Sequence, residues 1–261
     1  MTLIALTAGI ALSFLSLPIL VLGLRVIETR AWADLEGQVV PAAIQLSFVT
    51  TLATLVLALT FGTPLAYVLA RWRFPARRVL NVLVELPIVL PPAVAGLGLL
   101  LAFGRRGTFG PLLTSLDITL PFTTVAVVLA QTFVAAPFYV RAAQIGFQGV
   151  PREIEDAARV DGADGTALFF LITMPLAGRA LAAGMVLCWA RALGEFGATI
   201  LFAGSLQGRT QTMPLLIYNI LERDIDAAVT TGVLLVILAL AALLLSQWLN
   251  RTEDDPLSGA Y

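Results

Sequence analysis

The sequence predicts an all-α integral membrane protein with six transmembrane helices. Three observations carry the prediction. Of 261 residues, 59% are hydrophobic and 13% charged, and the mean hydropathy is +0.92, whereas a soluble domain of this size must expose a largely polar surface. Six apolar runs approach or exceed the ~20 residues that carry a helix across ~30 Å of hydrocarbon at ~1.5 Å per residue. Basic charge gathers in the connections between the runs.

The first run, Leu3 to Leu24, contains no charge. Ala31-Trp32-Ala33 has the look of a small-residue cleavage site, but no basic residue precedes the run, and its length exceeds the usual ~7 to 15 residues of a signal-peptide core. It is therefore expected to stay as a span. The second run covers Ala42 to Ala70. After it, Arg71-Trp72-Arg73-Phe74-Pro75-Ala76-Arg77-Arg78 places four charges in eight residues, the densest basic cluster in a chain whose sixteen basic residues are all arginine.

Such a cluster belongs in the cytoplasm. Both termini then lie inside, as does the connection from Arg141 to Arg179 with Arg152 and Arg159. The opposite side carries Arg25, Arg30, Arg105, Arg106, Arg209 and Arg223. The third run, about Leu86 to Phe103, begins beside Glu85, which is expected near the cytoplasmic boundary. Pro87, Pro91 and Pro92 are expected to bend or break it, leaving backbone groups to be satisfied within the bundle or against a watery cavity. The fourth run is about Thr123 to Val140.

Between the fourth and fifth runs lies a polar connection within 141–175. Pro151 suits a first helical turn, and Glu153, Glu155 and Asp156 follow where negative charge favours a helix N-terminus. Ile154, Ala157 and Ala158 share one face, and Glu155 is expected to pair with Arg159 four residues on. Gly162 should stop this helix in the left-handed conformation. Asp164 should cap a second helix through Leu168 to Ile172, punctuated by Pro175. At ~15 Å each, neither helix can span the membrane, and the small Ala157–Ala158 face would let another protein approach closely. From spacing alone, an ordinary surface loop of two capped turns is the better reading, since caps and Ala pairs are common.

The fifth run, Leu176 to Ala203, alone holds ionisable residues deep inside it. Ala190, Gly194 and Ala198 recur every four residues, a spacing that lets helices pack closely in lipid. Arg191 and Glu195 can neutralise each other on a neighbouring stripe. With Thr199 they are candidates for the border of a translocation path or gate; the alternative is a structural ion pair between helices. Cys188 reads as a small buried apolar residue and has no internal disulfide partner. Ser205 to Gln211 is rich in hydroxyl and amide donors that could meet a tetrahedral oxyanion or the rim of a partner; docking outside the membrane is the favoured role, with Arg209 and Gln211 as its candidates. The sixth run is about Ala227 to Leu249, after which the acidic stretch Thr252 to Pro256 is expected to fray into water.

A chain with no histidine and one cysteine has few ligands for a metal or redox centre. With no lysine either, it lacks the residue with which a P-loop reaches ATP phosphates. An intramembrane enzyme finds few candidate bases. A gradient-driven secondary transporter would show paired interrupted helices, yet the Pro-broken third run has no convincing mate in the second half.

The polar connection resembles a more specific pattern. Inner-membrane subunits of bacterial ABC importers share Glu-Ala-Ala, three residues, Gly, nine residues, Ile, any residue, Leu-Pro. Here Asp156-Ala157-Ala158 is followed in the same register by Gly162 and by Ile172-Thr173-Met174-Pro175, with Asp for Glu and Met for Leu. In addition, Glu195-Phe196-Gly197-Ala198-Thr199, Phe202-Ala203-Gly204 and Thr210 to Leu215 resemble the molybdate-transporter permease subunits. So do Leu90 to Gly96 and Phe103-Gly104-Arg105-Arg106-Gly107.

The likeness covers most of the chain from about Ala42 onward. Sulfate permeases are the nearest confusion, and tungstate is chemically close to molybdate. The resemblance implies a type I ABC importer permease fold in a single domain, 1–261. It implies that Glu155, Asp156, Ala157, Ala158, Gly162, Ile172 and Pro175 couple this subunit to an ATPase. The implied partners are a second permease copy, two ATP-binding cassette subunits, and a periplasmic or lipoprotein molybdate-binding protein. ATP and Mg would sit on the cassette subunits, with no cofactor on this chain, in the bacterial inner membrane.

Overall fold

A computed structural model of the chain describes residues 2–29 and 39–251. Arg30, Ala31-Trp32-Ala33 and the acidic stretch from Thr252 lie outside the described residues. Helices α1 (Thr2–Thr29), α2 (Val39–Arg71), α3 (Arg77–Val89), α4 (Pro92–Phe103), α5 (Gly110–Ser115) and α6 (Thr124–Gly149) form the first half. The second half comprises α7 (Arg152–Val160), α8 (Gly165–Ala167), a π-helical turn (Leu168–Thr173), α9 (Met174–Leu176), α10 (Gly178–Leu193), α11 (Gly197–Phe202), α12 (Met213–Leu221) and α13 (Ile225–Arg251). No strand occurs among the described residues.

Helices α2, α6 and α10 make the centre of the bundle. α2 and α6 run side by side in the same direction, as second and fourth spans must. Thr54 Oγ1 lies 3.2 Å from Gln131 Oε1, Thr63 Oγ1 lies 2.6 Å from Tyr139 Oη, and Arg71 reaches Val150. α10 packs antiparallel on α6 through small residues: a Cβ on Gly146 would fall 2.5 Å from Ala180 Cβ, and one on Gly184 would fall 2.8 Å from Ala142 Cβ. Where lipid supplies no hydrophobic drive between helices, such close backbone approach and its dispersion contacts hold them together.

The third run is broken into two helices. α3 and α4 meet at 115°. Pro91 and Pro92 remove two helical N–H donors and push Leu90 and Pro91 into extended geometry, with ψ 134° and 131°. Pro87, by contrast, is carried within α3. α3 is amphipathic, has no buried residue and lies along the end of α6, where Glu85 pairs with Arg141 at 3.2 Å with both side chains nearly half exposed.

The fifth run also departs from a single straight helix. The Gly165–Leu176 segment meets α10 at 73°, and α10 ends at Leu193, so Ala190, Gly194 and Ala198 do not form one helical stripe. Gly194 is the C-cap of α10, while Ala198 belongs to α11. The reason is local. Glu195 turns back and its Oε1 accepts the Ala198 N–H at 2.8 Å, an N-terminal capping bond that starts a new helix instead of continuing the old one. Gly197 then lets α11 approach α4, since a Cβ there would lie 2.8 Å from Pro92 Cβ.

Among the described residues, three helices are individually long and apolar enough to cross a membrane, Ile4–Glu28, Val39–Arg71 and Thr124–Gly149, and each bent pair adds one candidate. The sixth run appears as the apolar helix Ile225–Ala241 within α13. Arg25 near the end of α1 meets Asp226 at the start of α13 at 2.9 Å, so both helices extend from there toward the end of the bundle that holds Arg71. α1 is exposed along most of its length.

Candidate functional site

The polar connection between α6 and α10 forms a protruding shelf at the Arg71 end. α6 runs through Arg141 to Gly149 before extended Val150 and Pro151 turn the chain out of the bundle, with ψ 122° and 134°. Pro151 is the N-cap of α7, and Glu153 and Glu155 occupy the first turn, where their charge opposes the positive end of the helix dipole.

α7 closes with two reciprocal backbone bonds. Gly162 N–H donates to Arg159 O at 3.1 Å and Ala163 N–H donates to Ala158 O at 2.9 Å, with Gly162 at φ +96°. That is a Schellman C-cap, which needs a left-handed residue at the glycine position. Asp164 then caps the next turn, its Oδ1 accepting the Ala167 N–H at 2.7 Å.

The expected Glu155–Arg159 pair is not formed. Arg159 instead bonds Asp156 three residues back on the exposed face. Glu155 points inward, its side chain 4% exposed, and accepts a 2.8 Å bond from Arg71 Nη2 at the end of α2; the Arg71 side chain is 10% exposed. The same Nη2 donates to Val150 O at 3.0 Å. Thr173 Oγ1 sits 2.8 Å from Glu155 Oε1 and 3.2 Å from Leu168 O, so its hydroxyl can donate to either. Burial explains the choice of partner: a carboxylate removed from water requires a fixed cation and further donors, and Arg159, half exposed, could supply neither.

Below α7, Phe169 of the π-helical turn enters between α2 and α6. Its ring centroid is 4.9 Å from that of Tyr67 and 6.0 Å from that of Phe147. The outward face of α7 and its cap carries Asp156, Ala157, Val160 and Gly162, all exposed, with Ala158 partly so; Ile172 is partly buried, and Pro175, though exposed, lines a cavity shared with Thr60, Tyr139 and Met185. Of the residues expected to couple to a partner, only Glu155 is buried.

Deeper in the bundle, Arg191 and Glu195 are together. Arg191 Nη1 lies 2.7 Å from Glu195 Oε2, with the side chains 27% and 1% exposed; the contact is a charge contact off the line of a hydrogen bond. Glu195 is thus held from both sides, by the guanidinium and by the Ala198 amide. Thr199, one turn on, is fully buried and its hydroxyl has no partner. At the far end, Arg209 is exposed while its carbonyl accepts from Thr124 Oγ1 at 2.9 Å. Gln211 faces inward, 8% exposed, with its Nε2 3.4 Å from Ser205 Oγ. It lines a polar cleft of about 570 Å³ shared with Asn219 and Arg223.

Two residues of the shelf were not singled out by sequence, Arg71 and Thr173. Arg71 reads as one of four charges in a basic connector, and its partner lies 84 residues away. Thr173 sits inside the motif register, but nothing in the spacing marks its hydroxyl.

Residues 62–253 match the family of binding-protein-dependent transport system inner membrane components. The chain is 43% identical over 232 residues to the molybdenum transport system permease protein ModB of Mycobacterium tuberculosis, covering 89% of this chain and 87% of that one. It is 38% identical over 216 residues to the ModB of Escherichia coli, covering 82% and 94%. Among solved structures, it resembles a bacterial ABC transporter involved in the import of the acidic polysaccharide alginate. The TM-score is 0.78 at 15% identity, over 97% of this chain and 95% of the other, a likeness of fold.

Proposed function

Because this chain belongs to the family of binding-protein-dependent transport system inner membrane components, we propose that it is the membrane-spanning subunit of an ATP-driven molybdate importer, with tungstate as the close chemical substitute. The observation that carries the reading is the shelf. An exposed, capped helix stands clear of the bundle while its inner side is tied to α2 by the buried Arg71–Glu155 pair. That is the construction expected of a handle on which another subunit pushes. The substrate class rests on the identity to permeases named for molybdenum transport.

In this reading two copies of the chain enclose the path around a two-fold axis, and two ATP-binding subunits grip the shelf at Asp156, Ala157, Ala158, Gly162, Ile172 and Pro175. ATP binding draws the grips together, the helices rotate, and the path opens to the outside. A loaded binding protein docks there, with Arg209 at the rim, and releases its anion. The Arg71 end is cytoplasmic by the arginine bias. Arg191, Glu195 and Thr199 border the path at the break between α10 and α11, where a helix that is already interrupted can change angle without breaking further hydrogen bonds. A path of this kind must hold its dianion weakly enough to release it, which leaves tight selection to the binding protein.

The test is ATP hydrolysis and anion uptake in proteoliposomes holding this chain, its ATPase and its binding protein, with molybdate, tungstate or sulfate in turn. Stimulated hydrolysis and uptake with molybdate and tungstate are expected. A response to sulfate alone would keep the importer and replace the substrate. Gradient-driven uptake without ATP would overturn the mechanism.

A further inference from the structure

We infer that Arg71, Glu155 and Thr173 form a clamp that makes α2 a driven lever, so that motion applied to α7 enters the bundle through α2 as well as along the chain. This rests on the shelf being the handle described above. By covalent connection alone, α7 could act only on α6 before it and on the π-helical turn after it. Both connections are soft. Val150 and Pro151 are extended rather than helical, and Asp161 to Asp164 form a turn around a glycine at positive φ. A helix joined to its neighbours by two such hinges pivots when pushed and delivers little displacement.

The clamp removes that freedom. Arg71 lies in the last turn of α2, and its Nη2 holds both the carboxylate of Glu155 at 2.8 Å and the carbonyl of Val150 at 3.0 Å. One guanidinium nitrogen therefore ties the end of α2 to the hinge before α7 and to the body of α7 together. On the other side of the carboxylate, Thr173 Oγ1 lies 2.8 Å from Glu155 Oε1 and 3.2 Å from Leu168 O; donating to the carboxylate, its hydroxyl links α7 to the last residue of the π-helical turn.

Directional bonds to a buried charge resist sliding as well as separation, whereas an apolar contact resists sliding weakly. The Phe169 ring, wedged against Tyr67 and Phe147, fixes the π-helical turn but makes no comparable tie to α7. Because α2 and α6 are parallel and closely packed, displacement of the Arg71 end moves them as a pair. Glu155 is thus a positioning residue of the handle and does not contact the ATPase, which its burial also forbids.

The test compares wild type with the double variant Arg71→Met/Glu155→Leu and with Thr173→Val in reconstituted transporter. Apolar replacement of both members of a buried ion pair avoids the stranded charge that makes single variants unfold, and Thr173→Val keeps shape while losing the hydroxyl. Co-purification with the ATPase is measured first, then uptake per ATP hydrolysed. In complexes that assemble, uptake per ATP is expected to fall at least fivefold in the double variant and two- to threefold in Thr173→Val. A purely structural pair would lower yield of complex, or hydrolysis and uptake together, without moving their ratio. An unchanged ratio in assembled Thr173→Val or in the assembled double variant would overturn the clamp. Absence of ATP-coupled uptake in wild type would instead overturn the importer reading, which keeps the two failures distinct.

Discussion

Replacing Gly162 with valine should weaken assembly with the ATPase while leaving the membrane bundle intact. The cost can be worked from geometry. Gly162 sits at φ +96°, and a Cβ built on it would meet nothing within 4 Å. No clash contributes, and the whole penalty is the local strain of an L-residue in left-handed backbone, about 2 kcal/mol for a β-branched side chain. The strain is relieved by unwinding the cap, losing the bonds from Gly162 N–H to Arg159 O and from Ala163 N–H to Ala158 O. Since the cap shapes the outward face of the shelf, docking must restore it, and about 2 kcal/mol raises the dissociation constant for the ATPase roughly 30-fold. Asparagine, which tolerates this conformation, should come within about threefold of wild type. Binding of purified ATPase to the permease in nanodiscs reads both numbers, with thermal unfolding of the permease alone as the control. Valine binding as tightly as glycine, or asparagine as poorly as valine, would refute the reasoning.

Other substitutions probe other links. Glu195→Ala removes the partner of Arg191 and the acceptor of the Ala198 amide, and should destabilise the detergent-solubilised protein by about 2 to 3 kcal/mol, discounted because Arg191 is partly exposed; thermal unfolding measures it, and Glu195→Gln, which keeps the amide bond, should lose less. Gly146→Val drives a Cβ to 2.5 Å from that of Ala180 and should cost about 1 to 3 kcal/mol by separating α6 from α10. Gly178→Ala, with open space around its Cβ, serves as its control in the same thermal-unfolding measurement. Arg209→Ala should reduce stimulation of hydrolysis by the binding protein about threefold at low salt, an effect that shrinks as salt rises.

Much of the molecule is legible in its sequence because the signals are local. Apolar length decides which segments lie in lipid, and all six runs have helical counterparts. Proline chemistry announces the break between α3 and α4, though not that its angle would reach 115°. The Gly162 cap and the Asp164 cap follow from residues whose conformational cost or hydrogen-bonding reach spans only a few positions. The pairing of Arg191 with Glu195 is equally local and is found as expected.

What only the tertiary structure decided is how buried charge chooses its partner. Spacing gave Glu155 to Arg159, the nearest cation on its helix, because periodicity knows neighbours three and four residues away and nothing of burial. In the folded protein Glu155 lies against the end of α2, and the desolvated carboxylate takes Arg71, 84 residues distant. The same ignorance made Ala190, Gly194 and Ala198 read as one stripe. A helix continues only while its backbone has no better partner, and the Glu195 carboxylate, anchored by Arg191, offered the Ala198 amide one. Both outcomes turn on a carboxylate excluded from water, whose bonding demands are satisfied by whatever donors the fold brings near, and that proximity is a property of three dimensions.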